Sequence, residues 1–201
     1  KNVLIDEFGK DYGNYFSILS LIASSKNSRS EIESVMEMPV GGFLDRLENE
    51  YGIIKKIKPI LAKPGGRVMK YQVIDPFLNF WFRFIYKYRS AIEIDNLQYV
   101  KEKVLADYET YSGKVLERFF TESIMQEKQY SMIGSYWERN NQNEIDIVVI
   151  DENEKQVKCY EVKRNPEKIS LSKLKEKSKR LREKFQHYTM THSALSLNDM
   201  P

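Results

Sequence analysis

The chain has 201 residues, 41% of them hydrophobic and 30% charged, with 6 Pro and 9 Gly; it is long enough to bury a core and too mixed for a collagenous or low-complexity protein. Its 32 basic and 29 acidic residues leave a formal charge of +3, a weak pull on polyanions that leaves local patches to decide. A single cysteine, Cys159, and two histidines exclude a disulfide framework and a thiolate- or imidazole-rich zinc site, and point to a reducing cytoplasm.

In chain order, Tyr15, Phe16, Leu19 and Ile22 recur at helical spacing and predict an amphipathic helix over 12–23. Ser30 and Glu33 stand at capping-box spacing and open a second helix, which Pro39 cuts short. Phe43, Leu44 and Leu47 share one face of a third helix over 40–50, with Gly52 as its left-handed terminator. GIIKKIKPILAK and RVMKYQVID, separated by KPGGR, then predict a β-hairpin. Three helices followed by a hairpin is the order of a winged helix, assigned here to 11–74.

Asp75 as N-cap and Pro76 at the first helical position open an aromatic helix, DPFLNFWFRFIYKYR, which connects to a second module over 75–96. Its aromatics, Trp81 among them, read as core or interface rather than as a base-stacking platform. Arg83 and Lys87 lie inside this most aromatic stretch, so no membrane span is expected. The second module, 97–201, reads as helix, strands, helix. A helical pattern covers 100–128, EIDIVVI (144–150) and VKCYEVK (157–163) read as strands, and 130–137 is a candidate leading strand. A basic helix follows over 168–184, with Leu171, Leu174, Leu181 and Phe185 as its apolar contacts. The fold class is therefore α+β or α/β.

The chemistry-bearing set is Glu117, Asp146, Glu161 and Lys163. Asp146 interrupts an apolar strand, and Glu161 and Lys163 sit two residues apart near the end of the next, on one face. Pairing Ile150 with Val157 sets Asp146 opposite Glu161, and a register two residues tighter keeps it on that face. Two carboxylates, a strand carbonyl and waters suit Mg²⁺, so Asp146 and Glu161 are the expected metal ligands. Lys163 would orient the attacking water, and Glu117, on the preceding helix, would assist from outside. The bland alternative is an ion-pair ladder across a hairpin.

At these residues the chain resembles the PD-(D/E)xK nuclease superfamily, through Glu117 in SGKVLERFF, Asp146 in EIDIVV and Glu161-Val162-Lys163 in CYEVKRN, with Ile145 where many members have Pro. The wider order, with YQVIDPFLNFWFRFIY ahead of EIDIVV and YEVK, is similar to the C-terminal region of archaeal and bacterial ATPases of the AAA+/STAND kind. The resemblance covers roughly residues 12–190. It implies a restriction-endonuclease-like α/β domain after the winged helix, and an ATPase domain ahead of residue 1. Residues 1–10 are then expected as a remnant of the upstream linker. VLIDEF (3–8) imitates a Walker B strand, but the chain has no GxxxxGK[ST], so no ATPase activity is expected from it.

Phosphate contacts are expected from Lys55, Lys56, Lys58, Arg67 and Lys70 on the hairpin and from Lys173, Lys177 and Arg180 on the basic helix. The 40–50 helix offers Arg46 alone against Asp45, Glu48 and Glu50, which is poor for a recognition helix. The leading expectation is a DNA-associated fragment with a Mg²⁺-dependent phosphodiesterase site, paired as a homodimer as many nucleases of this fold are. The alternative is a non-catalytic regulatory, docking or DNA-binding module of the ATPase.

Overall fold

The computed structural model describes residues 2–66, 68–138 and 141–201. The chain has mixed α and β structure with two sheets, and it divides into two compact units. The first comprises 1–57 and 69–106, the second 58–68 and 107–201. Among the described residues no helix is long and apolar enough to cross a membrane.

In the first unit, α1 (Asn2–Phe8) and α2 (Tyr12–Ala23) precede α3 (Arg29–Met36) and α4 (Gly41–Asn49). The Walker-B-like VLIDEF lies in α1, a helix rather than a strand. The predicted face of α2 is buried: Tyr15, Phe16, Leu19 and Ile22 join Ile32, Leu44 and Leu47 in one core. The cap of α3 falls two residues earlier than Ser30. Ser28 receives the Glu31 amide on its hydroxyl, and Glu31 returns to the Ser28 amide at 2.9 Å. Glu33 is occupied elsewhere, pairing with Arg29 and accepting the Val40 amide. Gly52 has φ +62, the left-handed conformation expected after α4.

Strands β1 (Ile54–Ile57) and β2 (Lys70–Val73) pair antiparallel with Ile54 opposite Val73. Each has only four residues, shorter than the apolar runs predict. Pro59 lacks the amide a ladder needs, and the stretch 58–68 belongs to the second unit. There Ile60 is buried beside Tyr136 and Ile145, and its N–H donates to the Ser135 carbonyl at 2.7 Å.

Helix α5 (Pro76–Phe80) opens as predicted, with the Leu78 amide donating to Asp75 Oδ1 at 2.7 Å. It continues as a π-helical segment, Trp81–Tyr86, before α6 (Arg89–Glu93). Phe82 is core, edge-on to Phe16 at 5.4 Å between ring centres. Arg83 is buried beside it and donates to the Ala23 carbonyl at 2.6 Å, at the end of α2.

The second sheet has the order β3 (Met132–Tyr136), β4 (Ile145–Asp151), β5 (Gln156–Val162), β6 (Thr189–Leu195). The first three strands are antiparallel, and β6 runs parallel to β5. Helix α7 (Leu97–Gln126) precedes the sheet, and its Leu116, Phe120 and Ile124 pack with Ile147, Val149 and Val162. Leu174 of α8 (Leu171–Lys177) and Leu181 of α9 (Lys179–Lys184) pack with Val148, Ile150, Val157 and Cys159. The single predicted basic helix is thus two. They meet at Ser178, fully buried, whose hydroxyl donates to the Lys175 carbonyl and lies 2.8 Å from His192 Nε2.

Candidate active site

The site is built where β4 and β5 meet. Ile150 lies opposite Val157, the predicted register, and pairing runs to Ile147 opposite Tyr160. Asp146 and Glu161 come next, one residue beyond the paired ladder. Both are buried, 9% and 8% exposed, in strands whose other buried positions are apolar. Such carboxylates must find partners. Asp146 Oδ2 accepts the Val162 amide at 2.8 Å and the Lys163 ammonium at 3.3 Å. The same ammonium lies 3.0 Å from Glu161 Oε1 and donates to the Val162 carbonyl at 3.1 Å.

A second ammonium closes the cluster. Lys177, at the end of α8, reaches Glu161 Oε2 at 3.1 Å and Oε1 at 3.4 Å. Burial alone would raise the Glu161 carboxyl, but its bonds to Lys163 and Lys177 hold it below the usual carboxylate range. Burial alone would lower the Lys163 ammonium, but Asp146 and Glu161 outweigh this and raise it.

Glu117 reaches the same place from α7. It lines a groove of about 510 Å³ together with Asp146, Val162, Lys163 and Lys177. Lys114, one helical turn earlier, donates to both Glu117 oxygens at 2.8 and 3.0 Å. Burial, reinforced by the Asp146 charge, pushes Glu117 up to about 7 against the pull of Lys114 and Lys163. Lys114, Arg164 and Lys168 also line the groove, as do Glu109 and Glu144. Arg164 stands 5.1 Å from the centre of the Tyr108 ring, and Lys168 pairs with Glu109 at 3.4 Å.

Sequence reasoning named Glu117, Asp146, Glu161 and Lys163, and the structure gathers all four. It did not name Lys114, whose signal was its three-residue spacing from Glu117. Lys177, a phosphate contact by its place on the basic helix, is seated on Glu161 instead.

Among the described residues, none of the other predicted phosphate contacts lines this groove. Lys56 is paired with Glu48, and Arg180 with Glu138 at 3.0 Å. Lys55 and Lys58 are exposed, Lys70 is half-buried, and Lys173 is exposed on α8. Arg67 lies outside the described residues. Arg46, the lone cation of α4, pairs with Glu50 at 2.9 Å.

Among the described residues no group of three or more His, Cys, Asp or Glu side chains is placed to hold a metal ion. A divalent ion would instead draw on Asp146, Glu161 and the Val162 carbonyl, whose oxygens already surround one positive charge. This all-oxygen set fits Mg²⁺ rather than a softer metal.

Cys159 is no nucleophile for this site. It is fully buried, and burial pushes its thiol up to about 12. Alkylation by iodoacetamide at pH 8 is expected to run at least about a hundredfold slower in the native chain than in urea, read by mass spectrometry. Equal native and denatured rates would contradict its burial.

Residues 81–180 match the family model DUF234, described as archaea bacterial proteins of unknown function. That stretch contains Glu117, Asp146, Glu161, Lys163 and Lys177. The chain is also 28% identical over 158 residues to the uncharacterized protein MJECL04 of Methanocaldococcus jannaschii, covering 74% of this chain and 35% of that protein. The chain therefore spans about a third of that relative's length. No solved structure matches the chain.

Proposed function

We propose that the second unit is a Mg²⁺-dependent phosphodiesterase domain of the PD-(D/E)xK nuclease kind, acting on DNA. One observation carries the reading: oxygens of Asp146, Glu161 and the Val162 carbonyl converge within 3.3 Å on a single cation, the Lys163 ammonium. Convergence of buried acids on one point is costly for folding and useful for chemistry.

In this reading Asp146 and Glu161 hold the metal. Bound there, Mg²⁺ supplies Lewis-acid stabilisation of the phosphodiester oxygens and lowers the pKa of a coordinated water. Lys163 orients the attacking water, and Glu117 accepts a proton or a water hydrogen bond from the α7 side. Lys114, Arg164 and Lys168 neutralise flanking phosphates along the groove they line. Three helices and the β1–β2 hairpin support a winged-helix reading of the first unit, with Lys55, Lys58 and Lys70 as its phosphate contacts. As the C-terminal region of a larger ATPase, the chain would act where that ATPase is recruited. Pairing of two copies is part of the proposal, since two strands must be cut.

A non-catalytic reading has one observation in its favour. Lys163 and Lys177 already neutralise Glu161, as a purely structural ion-pair cluster would. Plasmid nicking separates the two. With Mg²⁺ the wild-type chain is expected to nick supercoiled DNA, and Asp146→Ala to nick at least about a thousandfold more slowly. Equal rates in the two proteins, or none in either, would favour the structural cluster.

A further inference from the structure

The Lys163 ammonium stands in the position of a bound cation. Its three oxygen partners lie 3.0, 3.1 and 3.3 Å away and come from two strands. Mg²⁺ would require such oxygens at about 2.0–2.1 Å. The ammonium and a divalent ion therefore cannot share them, because two positive centres would be forced into contact.

Resting on the metal-site reading above, we propose that Lys163 is an internal competitor for the divalent position. Its ammonium holds the three oxygens in the resting protein, and a divalent cation enters only by expelling it. The Lys163 side chain is 36% exposed and lines the groove, so it has somewhere to go. Expelled, it faces the region where water and a phosphate would lie. Lys177 keeps its hold on Glu161 Oε2 at 3.1 Å, so the acid stays in place as Lys163 leaves. The site thus has a built-in threshold for divalent ion, set by the strength of its own lysine.

A lysine that helps a metal bind makes affinity worse when it is removed, whereas a competing lysine makes affinity better. The test is calorimetric titration of Mn²⁺ into the whole chain for wild type, Lys163→Met, Lys163→Gln and Lys168→Met. Lys168 lines the same groove and pairs with Glu109, so its variant reports the effect of removing nearby charge alone. Both Lys163 variants are expected to bind Mn²⁺ at least about tenfold more tightly than wild type, and Lys168→Met within about threefold of it. The Mn²⁺-induced rise in melting temperature should be larger in the Lys163 variants by the same logic. Lys163→Gln keeps a hydrogen-bond donor, which preserves a folded comparison if the Met variant loses stability.

Affinity unchanged or weakened in the Lys163 variants, with wild type binding, overturns the competition and leaves the metal site standing. Tightening of equal size in Lys168→Met also overturns it, since charge alone would then suffice. No Mn²⁺ binding in wild type or in either Lys163 variant removes the metal site itself, and the competition with it.

Discussion

Glu117→Gln is expected to stabilise the protein by about 3 kcal/mol at pH 8.5 and to leave it unchanged at pH 4. The cause is the carboxyl raised from 4.5 to about 7, by burial first and by the Asp146 charge after it. The folded state holds this proton more tightly than the unfolded state does. Between pH 4.5 and 7 unfolding therefore releases a proton, and stability falls as pH rises through that window. Above pH 7 the folded protein carries the full cost of an ionised, largely buried carboxylate, which Gln does not incur. The attraction of Lys114 is already contained in the value of about 7, so losing that pair does not reverse the sign. Chemical denaturation of both proteins across pH 4 to 8.5 gives the difference directly. A difference that does not grow with pH would contradict the burial of this carboxyl. A natural sequence retaining so costly an acid beside Asp146 is consistent with a site held for function at the expense of stability.

Arg83→Met is expected to destabilise the first unit by about 2–3 kcal/mol, measured as a lower midpoint in urea. Helix α2 ends at Ala23; the amides of Ser24, Ser25 and Lys26 donate to the Ser20, Ile22 and Leu21 carbonyls, and the Ala23 carbonyl takes its donor from a side chain. Arg83 donates to the Ala23 carbonyl at 2.6 Å and to Ser25 Oγ at 3.3 Å, which places a positive charge at the negative end of the helix dipole. Met fills similar volume but leaves the carbonyl buried without this donor. The adjoining Phe82 and Phe84 are buried too, so water has little access to replace the bond. Arg83→Lys should recover part of the loss, because the charge remains and the planar fork does not. A loss under about 0.5 kcal/mol would mean that the carbonyl is satisfied in another way.

What could be read from sequence follows from how local each signal is. Asp146 within EIDIVVI and Glu161 within VKCYEVK were legible because a charge in an apolar, period-two run is conspicuous, and both registers open to the short connection keep them on one face. Glu117 was legible as a residue but not as a neighbour, since its place in the groove depends on how α7 packs on the sheet through Leu116 and Phe120. Strand β6 went unread: TMTHSAL carries Met190 and Leu195 among small polar residues, and its parallel pairing to β5 is long-range. Spacing places the α3 cap at Ser30, whereas the structure puts it at Ser28, in the register that buries Ile32. Lys177 looked like one of many cations on a basic helix. Only the crossover that returns α8 over β5 distinguishes it, by delivering its ammonium to Glu161. The hairpin illustrates the same limit, because Ile60 is an ordinary strand residue in sequence and a core residue of the other unit in space.

In the function proposed here, Asp146 and Glu161 hold a divalent cation. Calorimetric titration of Mn²⁺ into wild type and into the Asp146→Ala, Glu161→Ala double variant tests it most directly, with circular dichroism confirming that both are folded. One site per chain is expected in wild type and none in the double variant. No binding in wild type, or equal binding in both proteins, would contradict it.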